Sequence, residues 1–252
     1  MVRPEILAIV PARGGSKSIP RKNLIPVGGK PLIAYSIEQA RTSRLVTRAI
    51  VSTDDAEIAD VARAYGGEVP FLRPAQYAQD MSPDIDVFRH ALQWLVDHEG
   101  YRPELVVHLR PTGPVRRVEL IDQAIALMLE HPEADALRSV SAPLQTPYKM
   151  WRIEDGYLRP LLTVPGVTES YCAPRQSLPD VWWQNGYVDI IRPRTILELG
   201  LMCGQTVLPF VVDEPTLEID YADSLPSVEE ALARLAADEP HQEINRGKRF
   251  PV

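Results

Sequence analysis

The chain has 252 residues, enough to bury a sizeable core, and a hydrophobic share of 45%, which is ordinary for a globular protein. Its formal net charge of −7 argues against a general nucleic-acid binder, because such proteins carry an excess of basic residues. No apolar run approaches the roughly 18 residues of a membrane span, and the first residues lack the pattern of a secretory signal. We therefore expect a cytoplasmic protein that has neither a membrane nor a nucleic acid as partner.

Apolar runs alternate with segments of helical periodicity along the first 140 residues. In chain order, this pattern predicts a strand at 6–10, a helix at 32–43, a strand at 48–52, helices at 56–65 and 83–99, a strand at 105–109, a helix at 118–130 and a strand at 136–140.

This order of elements is typical of an α/β fold with a mostly parallel central sheet and helices on both faces. In open sheets of this kind, ligands bind beyond the carboxyl ends of the strands. The loops that follow Val10, Ser52 and Leu109 carry the polar and glycine residues. We therefore expect these three loops to meet at one ligand site.

The alternation of strand-like and helix-like segments ends between residues 141 and 179, where prolines recur and polar and apolar residues alternate over short stretches. We interpret 141–179 as a β-rich arm inserted into a single domain of residues 1–252 and as a contact in an oligomer, although a surface loop would explain the same pattern. The remaining elements are predicted as a strand at 186–191, a helix at 195–201, a strand at 207–212, a helix at 227–237 and a peripheral tail at 239–252.

The loop after the first strand combines cations and glycines without any carboxylate. No Asp or Glu lies between Glu5 and Glu38, and the same stretch holds five cations: Arg13, Lys17, Arg21, Lys22 and Lys30. Gly14 and Gly15 would let backbone N–H groups approach a phosphate, and Ser16 adds a hydroxyl donor. The loop has the spacing of neither a Walker A motif nor G-x-G-x-x-G. A turn with solvated cations is the alternative, but a turn requires neither the acid-free flanks nor five cations.

Matches along the whole chain make the sequence similar to one family. The opening P-A-R-G-G-S-K-S-I-P-R-K-N-L-I-P-V-G-G-K-P-L-I resembles that of the acylneuraminate cytidylyltransferases, the CMP-sialic acid synthetases. Further matches follow in order: V-S-T-D-D-A-E-I-A at 51–59, V-P-F-L-R-P at 69–74 with Asp80, R-P-T-G-P-V-R at 110–116, Arg175-Gln176, Asn185-Gly186 and Ile219-Asp220. The related Kdo cytidylyltransferases usually lack the Arg-Lys-Asn step found here at 21–23.

The resemblance implies a Rossmann-like nucleotidyltransferase fold and a reaction in which CTP and a 2-keto sugar acid give a CMP-sugar and pyrophosphate. It implies Arg13, Lys22 and Asp220 as catalytic residues, Mg²⁺ (or Mn²⁺) on Asp220 and Glu218, and a homodimer formed through 141–179. The implied nucleotide-binding residues are Ala12, Arg13, Gly14, Gly15, Ser16, Lys22, Asn23, Arg73 and Ser82.

The part of the site that would hold the sugar departs from the family's pattern. Its implied residues are Arg110, Thr112, Lys149, Arg175, Gln176, Asn185 and Asp189. Lys149 and Arg175 resemble the family's sugar-site cations, which would meet the carboxylate of a sugar acid. Arg110 stands where the family usually has Gln, and Asp189 stands where it usually has Tyr. A nonulosonic acid is therefore expected, with N-acetylneuraminate, legionaminate and pseudaminate all left open.

Two other interpretations remain at this point. One is a nucleotidyltransferase for another sugar, such as Kdo or a hexose 1-phosphate, and the other is a nucleotide-binding protein without chemistry. Glu218 replaces the first Asp of the family's D-I-D element, and its longer side chain can still reach a metal. The five histidines show no metal or triad spacing, and we assign them no role.

Overall fold

A computed structural model describes residues 3–237 of the chain, so the predicted tail at 239–252 lies outside the described residues. The strands in this part are β1 (Ile6–Pro11), β2 (Pro26–Val27), β3 (Lys30–Pro31), β4 (Arg48–Ser52), β5 (Leu105–His108), β6 (Ala136–Ser141), β7 (Trp151–Glu154), β8 (Tyr157–Pro160), β9 (Trp183–Ile191) and β10 (Val207–Val211). The α-helices are α1 (Leu32–Thr42), α2 (Ala56–Ala64), α3 (Asp84–Glu99), α4 (Val118–Glu130), α5 (Pro193–Leu197) and α6 (Leu225–Ala236).

Six strands form the central sheet, in the order β10-β6-β9-β5-β1-β4. β1 pairs in parallel with β4 on one side and with β5 on the other. β9 runs antiparallel to β5 and places Asp189 opposite His108. The predicted α/β fold with a mostly parallel sheet is confirmed, and the carboxyl ends of β1, β4 and β5 lie at the same edge.

β1 divides its side chains between two apolar cores, as expected for a strand that is buried on both faces. Ile6, Ala8 and Val10 face a core to which α1, α2 and α4 contribute. Leu7 and Ile9 face a second core, to which α3 and α5 contribute. The predicted helices on both faces are therefore confirmed, and the middle of the sheet is a rigid base for the loops at its edge.

Most predicted elements have their observed ends within two residues, and the largest differences fall in 183–201. β9 begins at Trp183, three residues before the predicted start at 186. The helix predicted at 195–201 is α5, which ends at Leu197 because the chain turns away at Gly200, where φ is +69°. Within residues 3–237, no helix combines the length and the apolar character that crossing a bilayer requires.

The chain divides into two compact units, one made of residues 3–139 with 186–237 and the other of Val140–Asn185. The second unit contains the predicted arm 141–179. Its strand content within that arm is chiefly the hairpin β7–β8, accompanied by three short 3-10 helices. The rings of Trp151 and Tyr171 pack against each other at a tilt within this unit, with centroids 4.5 Å apart. The role of the arm in an oligomer stays a prediction.

Candidate active site

A cleft of about 480 Å³ lies where the carboxyl ends of β1 and β5 meet, as expected for an open α/β sheet. Three segments line it: the loop after β1, the segment 73–84, and the residues at the end of β5. Their polar side chains in the cleft are Arg13, Ser16, Lys17, Ser18, Lys22, Asn23, Arg73, Tyr77, Gln79, Asp80, Ser82, Asp84, His108, Arg110 and Thr112. The predicted loop after Ser52 supports this lining and contributes no residue to it.

The loop after β1 is held by hydrogen bonds to the end of β4 and to the segment behind it. The backbone N–H of Ala12 donates to the carbonyl of Ser52 at 3.0 Å, and that of Gly14 donates to Oδ1 of Asp54 at 3.0 Å. A Cβ at Gly14 would lie 2.7 Å from Oδ2 of Asp55, so no other residue fits without displacing that carboxylate. These contacts fix the backbone that carries Arg13 and Ser16.

Two of the five cations predicted to hold a polyanion are engaged elsewhere. Arg21 pairs with Asp55 and with Glu57, and it does not line the cleft. Lys30 pairs with Glu38 and lies over the ring of Tyr35 at 4.3 Å. Of the five cations in the acid-free stretch, the loop therefore brings Arg13, Lys17 and Lys22 to the cleft, while carboxylates of the folded chain neutralise the other two.

Asp55 combines two structural roles, so its removal should destabilise the protein. It accepts a hydrogen bond from the N–H of Ile58 at 3.0 Å at the start of α2, and it pairs with Arg21. We expect Asp55→Ala to lower the free energy of unfolding by about 1–2 kcal/mol at pH 7 in chemical denaturation. The hydrogen bond from Arg21 holds the pKa of Asp55 below its ordinary value. The difference in free energy of unfolding between the variant and wild type should therefore have its full size above about pH 4, the ordinary pKa of an Asp in the unfolded chain being about 4. It should shrink as the pH falls through the pKa of Asp55 in the folded protein.

Asp60→Ala is the matched control, because Asp60 also lies on α2 but, among residues 3–237, forms its one ion pair with the exposed Arg63. Its free energy of unfolding should stay within about 0.5 kcal/mol of the wild-type value. Equal losses for the two variants would show that Asp55 has no special role.

Asp80 connects the two cations that line the mouth of the cleft. Its Oδ1 lies 3.0 Å from Nη1 of Arg13, and its Oδ2 lies 2.5 Å from Nζ of Lys17. The hydrogen bond from Lys17 is the largest of the effects that hold the pKa of Asp80 below its ordinary value, and Arg13 acts in the same direction. A carboxylate thus occupies the position between two cations that an anionic ligand would need.

Lys22 joins the loop after β1 to the segment 217–220. Its side chain is only 11% exposed, its Nζ donates to the carbonyl of Ile219 at 2.8 Å, and it lies 3.6 Å from Oδ1 of Asp220. The N–H of Ile219 in turn donates to the carbonyl of Thr112 at 2.7 Å. These contacts therefore hold the ammonium group in place at the cleft.

Glu218 and Asp220, the predicted metal ligands, lie close enough for the charge of Asp220 to act on Glu218. Burial, and then the charge of Asp220, raise the pKa of Glu218. A cation between the two carboxylates would relieve this repulsion, so the donor set fits Mg²⁺. Within residues 3–237, no group of three or more His, Cys, Asp or Glu side chains could hold a metal. A metal here would therefore share its coordination with a ligand.

The segment 73–84 supplies a buried cation and a hydroxyl. Arg73 is 4% exposed and lies 3.7 Å from Oδ1 of Asp54, and its Nε has no hydrogen-bond partner in the described residues 3–237. Burial lowers the pKa of its guanidinium. The Oγ of Ser82 donates to the carbonyl of Gln76 at 3.1 Å and accepts from the N–H of Gln79 at 3.0 Å, so it also holds the segment together.

Asn23 is a lining residue of the loop after β1. Its Nδ2 donates to the carbonyl of Arg13 at 2.9 Å, so it helps to hold that loop in place.

Arg110 and Asp189 meet at the end of β5. Nη1 of Arg110 and Nη1 of Arg138 each donate to Oδ2 of Asp189 at 2.6 Å. Arg110 and Thr112 line the cleft, whereas Asp189 is 0% exposed and does not. Direct contact of Asp189 with a sugar, as predicted, is incompatible with this burial. Its position behind Arg110 gives it a supporting role.

The other predicted sugar-binding residues belong to the second unit. Lys149 and Gln176 are exposed, and Asn185 is buried. The guanidinium of Arg175 donates to the carbonyls of Leu144 at 3.2 Å and Pro143 at 2.8 Å. Their contact with a sugar stays a prediction.

Sequence reasoning missed Arg138 and His108. His108 is 1% exposed and lines the cleft, and neither of its ring nitrogens has a hydrogen-bond partner among residues 3–237. Burial, and then the charge of Arg110, place its pKa well below the ordinary value, so its ring is neutral. A charged or polar residue within an apolar strand was the available signal, since Arg138 lies inside A-L-R-S-V-S and His108 inside L-V-V-H.

Known proteins resemble this chain in sequence and in fold. A CMP-N,N'-diacetyllegionaminic acid synthase of Campylobacter jejuni is 32% identical over 212 residues, which cover 84% of this chain and 88% of that protein. A pseudaminic acid cytidylyltransferase of the same species is 38% identical over 125 residues, about half of each chain. A CMP:2-keto-3-deoxy-manno-octonic acid synthetase solved with CTP has the same fold, with a TM-score of 0.68 at 16% identity over 92% of this chain and 99% of that one.

A family model agrees with these relatives. The model described as Cytidylyltransferase matches residues 7–158, which include the loop after β1, the segment 73–84 and the end of β5. These are the three segments that line the cleft. The chain belongs to the cytidylyltransferase family.

Proposed function

We propose that this protein transfers the cytidylyl group of CTP to a nonulosonic acid and releases pyrophosphate. The observation that carries the proposal is the distribution of charge in the cleft. Arg13, Lys17, Lys22 and Arg73 come from the loop after β1 and the segment 73–84, whereas Arg110 comes from the end of β5. Four cations suit a triphosphate, and a separate one suits an acidic acceptor. The relatives named for legionaminic and pseudaminic acid support the acceptor class.

The reaction requires one bond to form and one to break at the α-phosphorus. The oxygen of the sugar's anomeric hydroxyl attacks, the bond to the β-phosphate oxygen breaks, and the hydroxyl proton leaves to solvent. Negative charge grows on the departing pyrophosphate, so fixed cations that face it lower the barrier. Arg13 and Lys22 have this role in the proposal. Arg73 is already desolvated and holds the nucleotide at little further cost.

CTP would replace Asp80 as the partner of Arg13 and Lys17. The carboxylate of Asp80 lies between these two cations, at 3.0 Å and 2.5 Å. A triphosphate carries more charge and more acceptor oxygens than one carboxylate, so the exchange favours the nucleotide. The segment 73–84 would then move away from the loop after β1 when CTP binds.

Asp220 and Glu218 would hold Mg²⁺ in this proposal. The metal, when bound, supplies positive charge that polarises phosphate oxygens. Asp220 is the more accessible of the two carboxylates, and its contact with Lys22 connects it to the phosphate end of the cleft. Glu218 would add charge from its partly buried position.

A homodimer formed through the second unit is also part of the proposal. That unit exposes an unusual number of large apolar side chains, including Leu144, Ile153, Tyr157, Leu158 and Trp183. Ile153 is 77% exposed on the hairpin β7–β8. We expect a dimer mass in light scattering at micromolar concentration, and a shift toward monomer for Ile153→Glu. A monomeric wild-type protein would contradict this part of the proposal.

Pyrophosphate release tests the proposed reaction. The wild-type protein would be assayed with CTP, UTP, ATP and GTP against pseudaminic acid, N,N'-diacetyllegionaminic acid, N-acetylneuraminic acid, 3-deoxy-manno-octulosonic acid and a hexose 1-phosphate. Release with CTP and at least one sugar acid is expected. Release only with the hexose 1-phosphate, or with none of the acceptors, would contradict the proposal.

A further inference from the structure

Arg110 differs in surroundings from the other cations that line the cleft. Among residues 3–237, it is the one lining cation that follows β5. Its side chain is 23% exposed, and Nη2 lies 3.7 Å from Oδ2 of Asp84, whose side chain is 51% exposed. This loose pairing leaves donors of the guanidinium available to the cleft, since Arg carries five N–H groups.

A buried charge arrangement holds Arg110 in place. Oδ2 of Asp189 accepts from Nη1 of Arg110 and from Nη1 of Arg138, and Arg138 also donates to Sγ of Cys203 at 2.8 Å. The carbonyl of Arg110 accepts from Arg116, which is itself buried. Both ends of Arg110 are therefore fixed before any ligand arrives, which lowers the entropy lost on binding.

One buried carboxylate serves two cations at this point. Oδ2 of Asp189 accepts from both Arg110 and Arg138, and its side chain is 0% exposed. Each guanidinium carries five N–H groups, so this shared carboxylate leaves donors on Arg110 for an anion in the cleft.

His108 adds an unpaired hydrogen-bonding group to the same cleft. It lies opposite Asp189 in the β5–β9 pairing, and its ring packs edge-on against Phe88 with centroids 4.6 Å apart. Within the described part of the chain, neither ring nitrogen has a hydrogen-bond partner, although the side chain is almost fully buried and lines the cleft. An unsatisfied buried polar group of this kind is costly, so a ligand group that satisfies it gains affinity.

Arg175, one of the two cations that the resemblance assigned to the carboxylate together with Lys149, has other partners. Nη1 and Nη2 donate to the backbone carbonyls of Leu144 and Pro143 inside the second unit. A guanidinium engaged in this way holds its own unit together and has fewer donors left for a ligand.

We infer that Arg110, with the ring of His108 in the same cleft, binds the carboxylate of the sugar acid, and that Asp189 and Arg138 are positioning residues for Arg110. The inference rests on the proposed function for its ligand and goes beyond it by assigning the carboxylate to one guanidinium. A carboxylate accepts two parallel hydrogen bonds from a guanidinium, and a nonulosonic acid and its methyl ester differ in this group alone.

The experiment compares each acid with its methyl ester as ligands of the full-length protein. Calorimetry would measure the binding of pseudaminic, N,N'-diacetyllegionaminic, N-acetylneuraminic and 3-deoxy-manno-octulosonic acid and of their methyl esters, and turnover with CTP would be measured in the same samples. Wild-type protein should bind at least one acid on the order of 10- to 100-fold more tightly than its ester.

Four variants locate that preference. Arg110→Gln should remove most of the preference for acid over ester while the KM for CTP stays unchanged, and Arg175→Gln should retain the preference. His108→Phe keeps the ring's shape and should weaken acid binding on the order of 10-fold. Arg138→Gln should reduce the preference and raise the KM for the acid more than it lowers kcat, which a loss of folding alone would not do. Thermal melting shows which variants are folded.

The outcomes separate this inference from the proposed function. A preference that survives Arg110→Gln but disappears in Arg175→Gln overturns the inference and leaves the reaction intact. Equal binding of acid and ester by wild-type protein, or binding of no acid, also overturns it. Absence of turnover with a preference that depends on Arg110 would instead contradict the proposed reaction and support the carboxylate site.

Discussion

Lys22→Met should lower kcat for pyrophosphate release by about two to three orders of magnitude, the loss expected when one preorganised donor to a developing charge is removed. Lys22 is nearly buried, its Nζ donates to the carbonyl of Ile219 at 2.8 Å, and it lies 3.6 Å from Asp220. An ammonium group that is already fixed and desolvated stabilises charge more strongly than a mobile surface cation. Steady-state kinetics with saturating CTP and sugar acid measures the effect.

Two other lysines provide the comparison. Lys30→Met makes the same chemical change at a residue that pairs with Glu38 outside the cleft, so kcat should stay within about twofold of wild type. Lys17 lines the cleft but is 80% exposed, so Lys17→Met should raise the KM for CTP more than it lowers kcat. Equal losses of kcat in the Lys22 and Lys30 variants would contradict the role of Lys22.

Asp220→Asn should lower kcat by about 100-fold while CTP still binds, because the amide keeps the size of the side chain but weakens metal coordination. Asp220 is 62% exposed, so the substitution should not change folding. Calorimetric CTP affinity and the Mg²⁺ concentration that gives half-maximal activity would be measured together. The second quantity should rise, which separates a metal ligand from a residue that only shapes the loop.

Asp223→Asn is the matched control for Asp220. Asp223 is an exposed carboxylate in the short 3-10 helix Ala222–Ser224, and it does not line the cleft. The kcat of the Asp223→Asn variant and the Mg²⁺ concentration that gives it half-maximal activity should match those of wild type. An Asp220→Asn variant with wild-type kcat at every Mg²⁺ concentration would contradict the assignment of the metal ligands.

The sequence predicted the phosphate end of the cleft well because its main features are local. Gly14, Ser16 and Lys22 lie in one loop, and the apolar strand before it fixes where that loop leaves the sheet. The failure of Arg21 to reach the cleft could not be identified in this way. Arg21 turns toward Asp55 and Glu57, carboxylates 34 and 36 residues further along the chain, and only the folded arrangement of β1 and α2 brings them together.

The sugar end was harder to predict because its side chains depend on pairing between distant strands. Asp189 was expected to face the ligand, but the antiparallel pairing of β5 and β9 places it behind Arg110, 79 residues away in sequence. The same pairing brings His108 to the floor of the cleft, whereas its sequence neighbours show only a strand. Arg138 enters the site from a third strand. Spacing along the chain carries no information about such contacts.

The measurement that tests the central claim most directly is ³¹P NMR of a reaction containing the wild-type protein, CTP, Mg²⁺ and the sugar acids of the panel. The account predicts that the CTP resonances decrease while inorganic pyrophosphate and one new phosphodiester resonance, that of a CMP-sugar, increase in equal amounts and only when a sugar acid is present. CTP that stays intact with every sugar acid, or that gives CDP and inorganic phosphate instead, would contradict it.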